Sequence, residues 1–302
     1  MPNWNEVLLE IIQEEQNMHP DSSPVDKVRR KYLNLIAQKT GRNVIAYYSG
    51  WLQKPKAPDT AVNDKDKVGF MLAAHKLKKK DGLDLILHTP GGDTAATESL
   101  VDYLYSVFDK DIRVIVPQIS MSAGTMIALS SKEIIMGKQS NLGPIDPQKG
   151  GIACQAILDE FETAKQDLRQ NPASAPLWQV IISKYHPTLL GSCRQAIEWS
   201  EKMVSEWLLG NMCAGDKTKV KTIMETFADH RKQKSHARHI SKKECETSGL
   251  KIIALEDDQE LQDFVLTAHH AFMHSFAHTH AVKIIENHLG NAYIEQSMPV
   301  TS

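Results

Sequence analysis

From residue 43 onward the apolar positions fall in short runs separated by longer amphipathic stretches. NVIAYYSG (43–50) is rich in β-branched and aromatic residues and stops at a glycine. LDLILHT (83–89), RVIVPQ (113–118) and KEIIMG (132–137) repeat that texture, and each predicts a buried strand. Between them, DKDKVGFMLAAHKLKKKDG (64–82) carries Val68, Met71, Leu72 and His75 at helical spacing and ends on basic residues before a glycine. TAATESLVDYLYSVF (94–108) and SAGTMIALSS (122–131) are further helices, so strand alternates with helix. That order requires crossover connections and predicts an α/β fold.

The flanks read differently. Residues 1–40 predict helices, with a break at HPDSSPVD (19–26) that can start a second one. Beyond Gly151 helical patterns dominate, as in ILDEFETAKQDLRQ (157–170), SCRQAIEWSEKMVSEWLL (192–209) and DDQELQDFVLTAHHAFMHSFAHTHAVKII (257–285). The expected organisation is an N-terminal helical segment (1–40), an α/β core (41–150), and a mainly helical extension (151–302).

Composition narrows the partners. With 35 Lys and Arg against 37 Asp and Glu, the net charge of −2 gives no footprint for nucleic acid. Peptide or small-molecule partners are expected instead. Cys154, Cys193, Cys213 and Cys245 form no C-x-x-C pair, which argues for reduced intracellular thiols. The acidic amphipathic start MPNWNEVLLEIIQEEQ differs from a signal peptide, and the most apolar stretch, VIVPQISMSAGTMIAL (114–129), is broken by Pro117, Gln118 and hydroxyl residues. The expectation is a soluble, cytoplasmic protein.

Two segments carry chemistry. In HTPGGDTAATESL (88–100), Gly91 and Gly92 stand between a strand and a helix, where bare backbone N–H groups point into the crevice at the carboxyl ends of the strands. Such donors suit an oxyanion hole. A phosphate cradle would also suit a helix N-terminus, but no Walker lysine follows and P-G-G-D departs from G-x-G-x-x-G. A plain tight turn would also use glycines. In the second segment a strand leads through Ser120 and Ser122 into Ala123, Gly124 and Thr125. A serine at a strand-to-helix corner can be an exposed nucleophile or a helix N-cap.

PGGDTAATESL followed about thirty residues later by SMSAGTMIALSSKEIIMG resembles the Clp protease proteolytic subunit and signal peptide peptidase A families of the Clp/crotonase superfamily. SNLGPIDPQ (140–148) is similar to the L-G-P-I-D-P-Q segment of the serine dehydrogenase proteinases. The resemblance is good over residues 43–150 and weaker to the end. It implies a Clp/crotonase-like fold of repeated β-β-α units with helical additions at both ends, and a serine peptidase that assembles as a homo-oligomer. It further implies Ser122 as the nucleophile, with Ser120 two residues early, and Gly91, Gly92 and the Ala123 amide as the oxyanion hole.

The proton acceptor is less direct. Where the Clp subunit has its histidine, this chain has Asp146. The serine dehydrogenase proteinases carry Ser, Asp and His in that order, which puts Asp146 second. KSHARHISKKECETSGLKI (234–252) resembles their histidine segment, making His236 the third member and His239 the next choice. Read structurally, Asp146 would order a turn and the basic segment around His236 would be solvated. Signal peptide peptidases use lysine instead, which makes Lys138, Lys149 and Lys165 alternative bases. His270, His274 and His278 recur every four residues but without H-E-x-x-H; they are expected to pack or to line an interface, and no metal or other cofactor is expected.

Two rivals remain at this level. One is a degenerate Clp-like scaffold or adaptor, favoured by the missing Clp-type histidine. The other is a crotonase-type acyl-CoA enzyme, disfavoured by a serine at the helix corner. The chain contains no P-loop, so an ATPase that feeds it, or a membrane-protein partner, would be a separate chain.

Overall fold

The computed structural model describes residues 4–16 and 23–297. Helices α1 (Trp4–Gln16) and α2 (Pro24–Thr40) lead into strand β1 (Asn43–Ser49). Then follow α3 (Lys65–Ala74), β2 (Leu83–His88), α4 (Thr94–Phe108), β3 (Ile112–Val116), the two-residue β4 (Ile119–Ser120), α5 (Ala123–Ser130) and β5 (Glu133–Met136). Short strands β6 (Asn141–Leu142), β7 (Gln148–Lys149) and β8 (Ile152–Ala153) precede α6 (Cys154–Gln170), α7 (Ala175–Ile182), α8 (Leu189–Gly210), α9 (Lys217–Phe227) and α10 (His230–Gln233). The chain ends with β9 (Ile240–Ser241), α11 (Lys242–Thr247), β10 (Ile252–Ala254), α12 (Gln259–His278), β11 (Ala281–Asn287) and β12 (Ala292–Gln296).

Seven strands form the central sheet in the order β10-β5-β3-β2-β1-β11-β12. The five from β10 to β1 are parallel, and β11 and β12 close the other side antiparallel. Every residue of β1, β2 and β11 is buried, because helices cover both faces. Ile45 and Tyr47 meet α3, α4 and α5 on one side; Val44, Ala46 and Tyr48 meet α2 and α12 on the other. The result is a mixed α/β fold with a mostly parallel sheet. A second, three-stranded sheet, β4-β6-β9, stands beside it.

The sheet is not confined to residues 41–150, and the two flanks are not appendages. Strands β10, β11 and β12 come from the segment read as mainly helical, and α2 lies on the sheet itself. The reason lies in β11, where Lys283, Glu286 and Asn287 interrupt the apolar pattern. Each is buried with a partner: Lys283 with Asp66 at 2.6 Å, Glu286 with Arg29 and Arg30, and Asn287 with the Ala73 carbonyl. The helix read through residue 285 therefore stops at His278. The break read at residues 19–26 lies partly outside the described residues. Among the described residues no helix is long and apolar enough to cross a membrane.

Candidate active site

The loops that follow β2 and β3 run side by side. Thr89 bridges Ser120, and the Met121 N–H donates to the Thr89 carbonyl at 3.0 Å. This brings the glycine pair against the corner that opens α5. Ser122 stands there with φ 50° and ψ −117°, a conformation a non-glycine residue adopts only when its surroundings impose it. It holds the N-cap position of α5, yet its side chain makes no capping hydrogen bond. The hydroxyl is thus spared from the structural duty that most serines at this position perform. Ser120, by contrast, is fully buried beside Gly124 and does not reach the cavity described below.

Both glycines have positive φ, 89° at Gly91 and 157° at Gly92. A Cβ on Gly91 would lie 2.7 Å from the Ser122 Cβ and 2.8 Å from the Ala123 nitrogen. A Cβ on Gly92 would lie 2.4 Å from the backbone of Val62, which pairs with this segment: Val62 N–H donates to the Gly91 carbonyl and Asp93 N–H to the Val62 carbonyl. Gly91 spends its own N–H on Thr89 Oγ1 at 3.2 Å. The N–H groups of Gly92 and Ala123 donate to no acceptor among the described residues. The latter is one of the orphan donors of a helix start, and together these two amides are the free pair beside Ser122.

Asp146 lies on a loop pinned at three points. Gly143 N–H donates to Thr125 Oγ1, Ile145 N–H to the Phe227 carbonyl, and Pro147 accepts from Cys154 N–H at 2.8 Å. The carboxylate, only 3 % exposed, meets two imidazoles: His236 Nδ1 is 2.7 Å from Oδ1 and His230 Nδ1 is 3.1 Å from Oδ2. Ser122, Asp146, His236, Gly91 and Gly92 all line one cavity of about 750 Å³. No hydrogen bond joins Ser122 to His236. Such contacts often close only around substrate.

Of the remaining predicted bases, His239, Lys138 and Lys165 lie outside this cavity. His239 is exposed and lines a neighbouring groove, which shares Pro90, Gln148 and His236 with the cavity. Lys138 is exposed and absent from the cavity lining, and Lys165 is paired with Glu162 at 2.6 Å on the surface of α6. Lys149 does line the cavity, on the β7–β8 hairpin that turns at Gly150 and Gly151, whose φ values are 59° and 79°. His230 was not foreseen from sequence. Only its place six residues before His236 in a histidine-bearing stretch could have drawn attention to it.

Helix α12 carries the other histidines. His274 lies against the Trp4 ring with centroids 3.7 Å apart and meets the Trp4 carbonyl at 3.2 Å. His269 and Tyr48 surround His88, the residue just before Thr89-Pro90-Gly91-Gly92, with Trp51 above it. Burial pushes the His88 pKa down to about 3 and that of His269 well below its usual range, so both rings are neutral. Among the described residues no cluster of three or more His, Cys, Asp or Glu could hold a metal ion.

Residues 19–185, more than half of the chain, match the family of ClpP-like SDH-type serine proteinases. Two uncharacterised proteins of Methanocaldococcus jannaschii are also similar. One is 37 % identical over 102 residues, 34 % of this chain and 35 % of that protein. The other is 41 % identical over 92 residues, 30 % and 31 % of the two chains. The chain thus spans about a third of the length of these curated relatives.

Proposed function

The chain belongs to the family of ClpP-like SDH-type serine proteinases, and on that premise we propose that it hydrolyses peptide bonds with Ser122 as nucleophile. The observation that carries this reading is the pairing, across one cavity, of an uncapped serine at a strained strand-to-helix corner with a histidine already hydrogen-bonded to a buried carboxylate. His236 Nδ1 is committed to Asp146, which leaves Nε2 to take the Ser122 proton as Oγ bonds to the carbonyl carbon. The carbonyl electron pair moves to oxygen and is held by the Gly92 and Ala123 amides. His236 then protonates the departing amine as the C–N bond breaks, and water releases the acyl group by the same steps. Gly91, expected among the donors, acts in this scheme through its missing side chain.

The finer fold assignment, repeated β-β-α units of Clp/crotonase type, belongs to the same proposal, with β3, β4 and α5 as one such unit. So does assembly into a homo-oligomer. Helix α7 is predominantly apolar yet has no buried residue, with Leu177 62 % and Val180 59 % exposed, and a second subunit would cover it.

Covalent labelling of the purified protein with a fluorophosphonate, followed by mass spectrometry, tests the reading. Label on Ser122, lost in Ser122→Ala with the oligomeric state unchanged, is the expected result. A folded, assembled protein that takes no label on Ser122 overturns it in favour of a scaffold.

A further inference from the structure

We infer that His230 is a positioning residue for the catalytic carboxylate, an inference that rests on the active-site reading above. Asp146 has two oxygens and the structure assigns each its own imidazole: Oδ1 to His236, Oδ2 to His230. One bond alone would leave the carboxylate free to turn about its Cβ–Cγ bond. Two bonds, to one ring at the start of α10 and one in the loop that follows it, fix its plane and so the direction in which it presents Oδ1.

The two histidines are not interchangeable. His236 lines the cavity that holds Ser122, whereas His230 does not; it lines a space of about 570 Å³ between α8 and α9 that meets the cavity at Asp146 and Pro147, and the groove that also holds His239. His230 therefore meets Asp146 at the oxygen that His236 leaves free, and it is absent from the lining of the cavity that holds Ser122. Its own support is built. Asp229 caps the α10 turn through Arg231 N–H, Arg231 makes two hydrogen bonds to Asp159 of α6, at 2.7 and 3.0 Å, and Gln233 reaches the Thr226 carbonyl. A solvated basic segment would need none of these ties. They carry the His230 ring to a carboxylate 84 positions away in sequence.

The test is the rate of fluorophosphonate labelling at Ser122, resolved into the maximal inactivation rate and the half-saturating probe concentration. His230→Ala is expected to lower the maximal rate by about tenfold to a hundredfold, the usual consequence of a misplaced catalytic group, and to leave half-saturation unchanged. His230→Asn keeps an amide donor near the position of Nδ1 and is expected to retain most of the rate. Imidazole added to His230→Ala is expected to restore labelling, because the vacated site opens on the 570 Å³ cavity. A residue that merely stabilised the fold would show neither recovery.

If wild-type Ser122 is labelled and His230→Ala is labelled at the same rate, the inference fails while the active-site reading stands. If wild-type Ser122 is not labelled, that reading itself has failed. Should His230→Ala not fold, His230→Asn against His230→Gln makes the same comparison, since glutamine moves the donor toward the Nε2 position; equal rates in these two overturn the inference.

Discussion

Gly91 lies directly behind Ser122: a methyl group on its Cα would stand 2.7 Å from the serine Cβ and 2.6 Å from the Met121 carbonyl oxygen. The glycine pair therefore serves two purposes. Gly91 lets the corner approach, and Gly92 frees an amide.

Substituting Gly91 with alanine should displace the corner as well as strain a residue held at φ 89°. A cost of about 1–3 kcal/mol from backbone strain alone, visible as a lower urea midpoint, should accompany loss of Ser122 labelling. Gly92→Ala should behave similarly for a different reason, the clash with Val62. Wild-type labelling in either variant would contradict this account of the pair.

Asp146→Asn preserves shape but can no longer accept from both rings as a carboxylate does. With His236 driven toward the wrong tautomer, Ser122 labelling should fall by about 10³–10⁴-fold. The thermal midpoint should change far less than the rate, and a rate within threefold of wild type, on the order of the scatter expected for a neutral change, would remove Asp146 from the mechanism.

Lys283 connects the last part of the sheet to the site. It is 1 % exposed, bonds Asp66 at 2.6 Å and the Ala61 carbonyl at 2.7 Å, and so steadies the segment whose Val62 pairs with the glycines. Lys283→Ala leaves the Asp66 charge buried without its partner and should cost about 3–5 kcal/mol. Lys283→Met together with Asp66→Asn should recover part of that loss, as a double-mutant cycle in urea would register; simple additivity would show that the two groups are not coupled.

His88 makes stability depend on pH in a defined direction. Its folded pKa, about 3, lies below the ordinary 6.5, so the unfolded chain binds the proton first. Above pH 6.5 the ring is neutral in both states and its titration costs nothing, and stability should decline as pH falls from there toward 3, by about 1.4 kcal/mol per pH unit for this ring. Burial of His269 adds to the same trend. Urea midpoints between pH 7 and pH 5 should fall less steeply in His88→Phe than in wild type, and parallel slopes would mean that the ring titrates alike in both states.

Local pattern alone carried much of this protein. The short apolar runs marked β1, β2, β3 and β5 because strands buried on both faces have little room for polar residues. The consecutive glycines and the serine before Ala123-Gly124 were legible for a similar reason: a tight approach and a sharp corner constrain the residues that occupy them. Helix, strand and corner are properties of neighbours in sequence. What tertiary structure decided were relations between distant segments. Strand β11 escaped notice because its polar residues are satisfied by Asp66, Arg29, Arg30 and Ala73, partners over 200 positions away. The arrival of His230 as a second ring on Asp146, and the commitment of the Gly91 amide but not that of Gly92, depend on how loops are pinned by hydrogen bonds to other elements. A side chain's neighbours across the fold leave no periodic trace in its own stretch of chain, so those choices became visible only once the chain was folded.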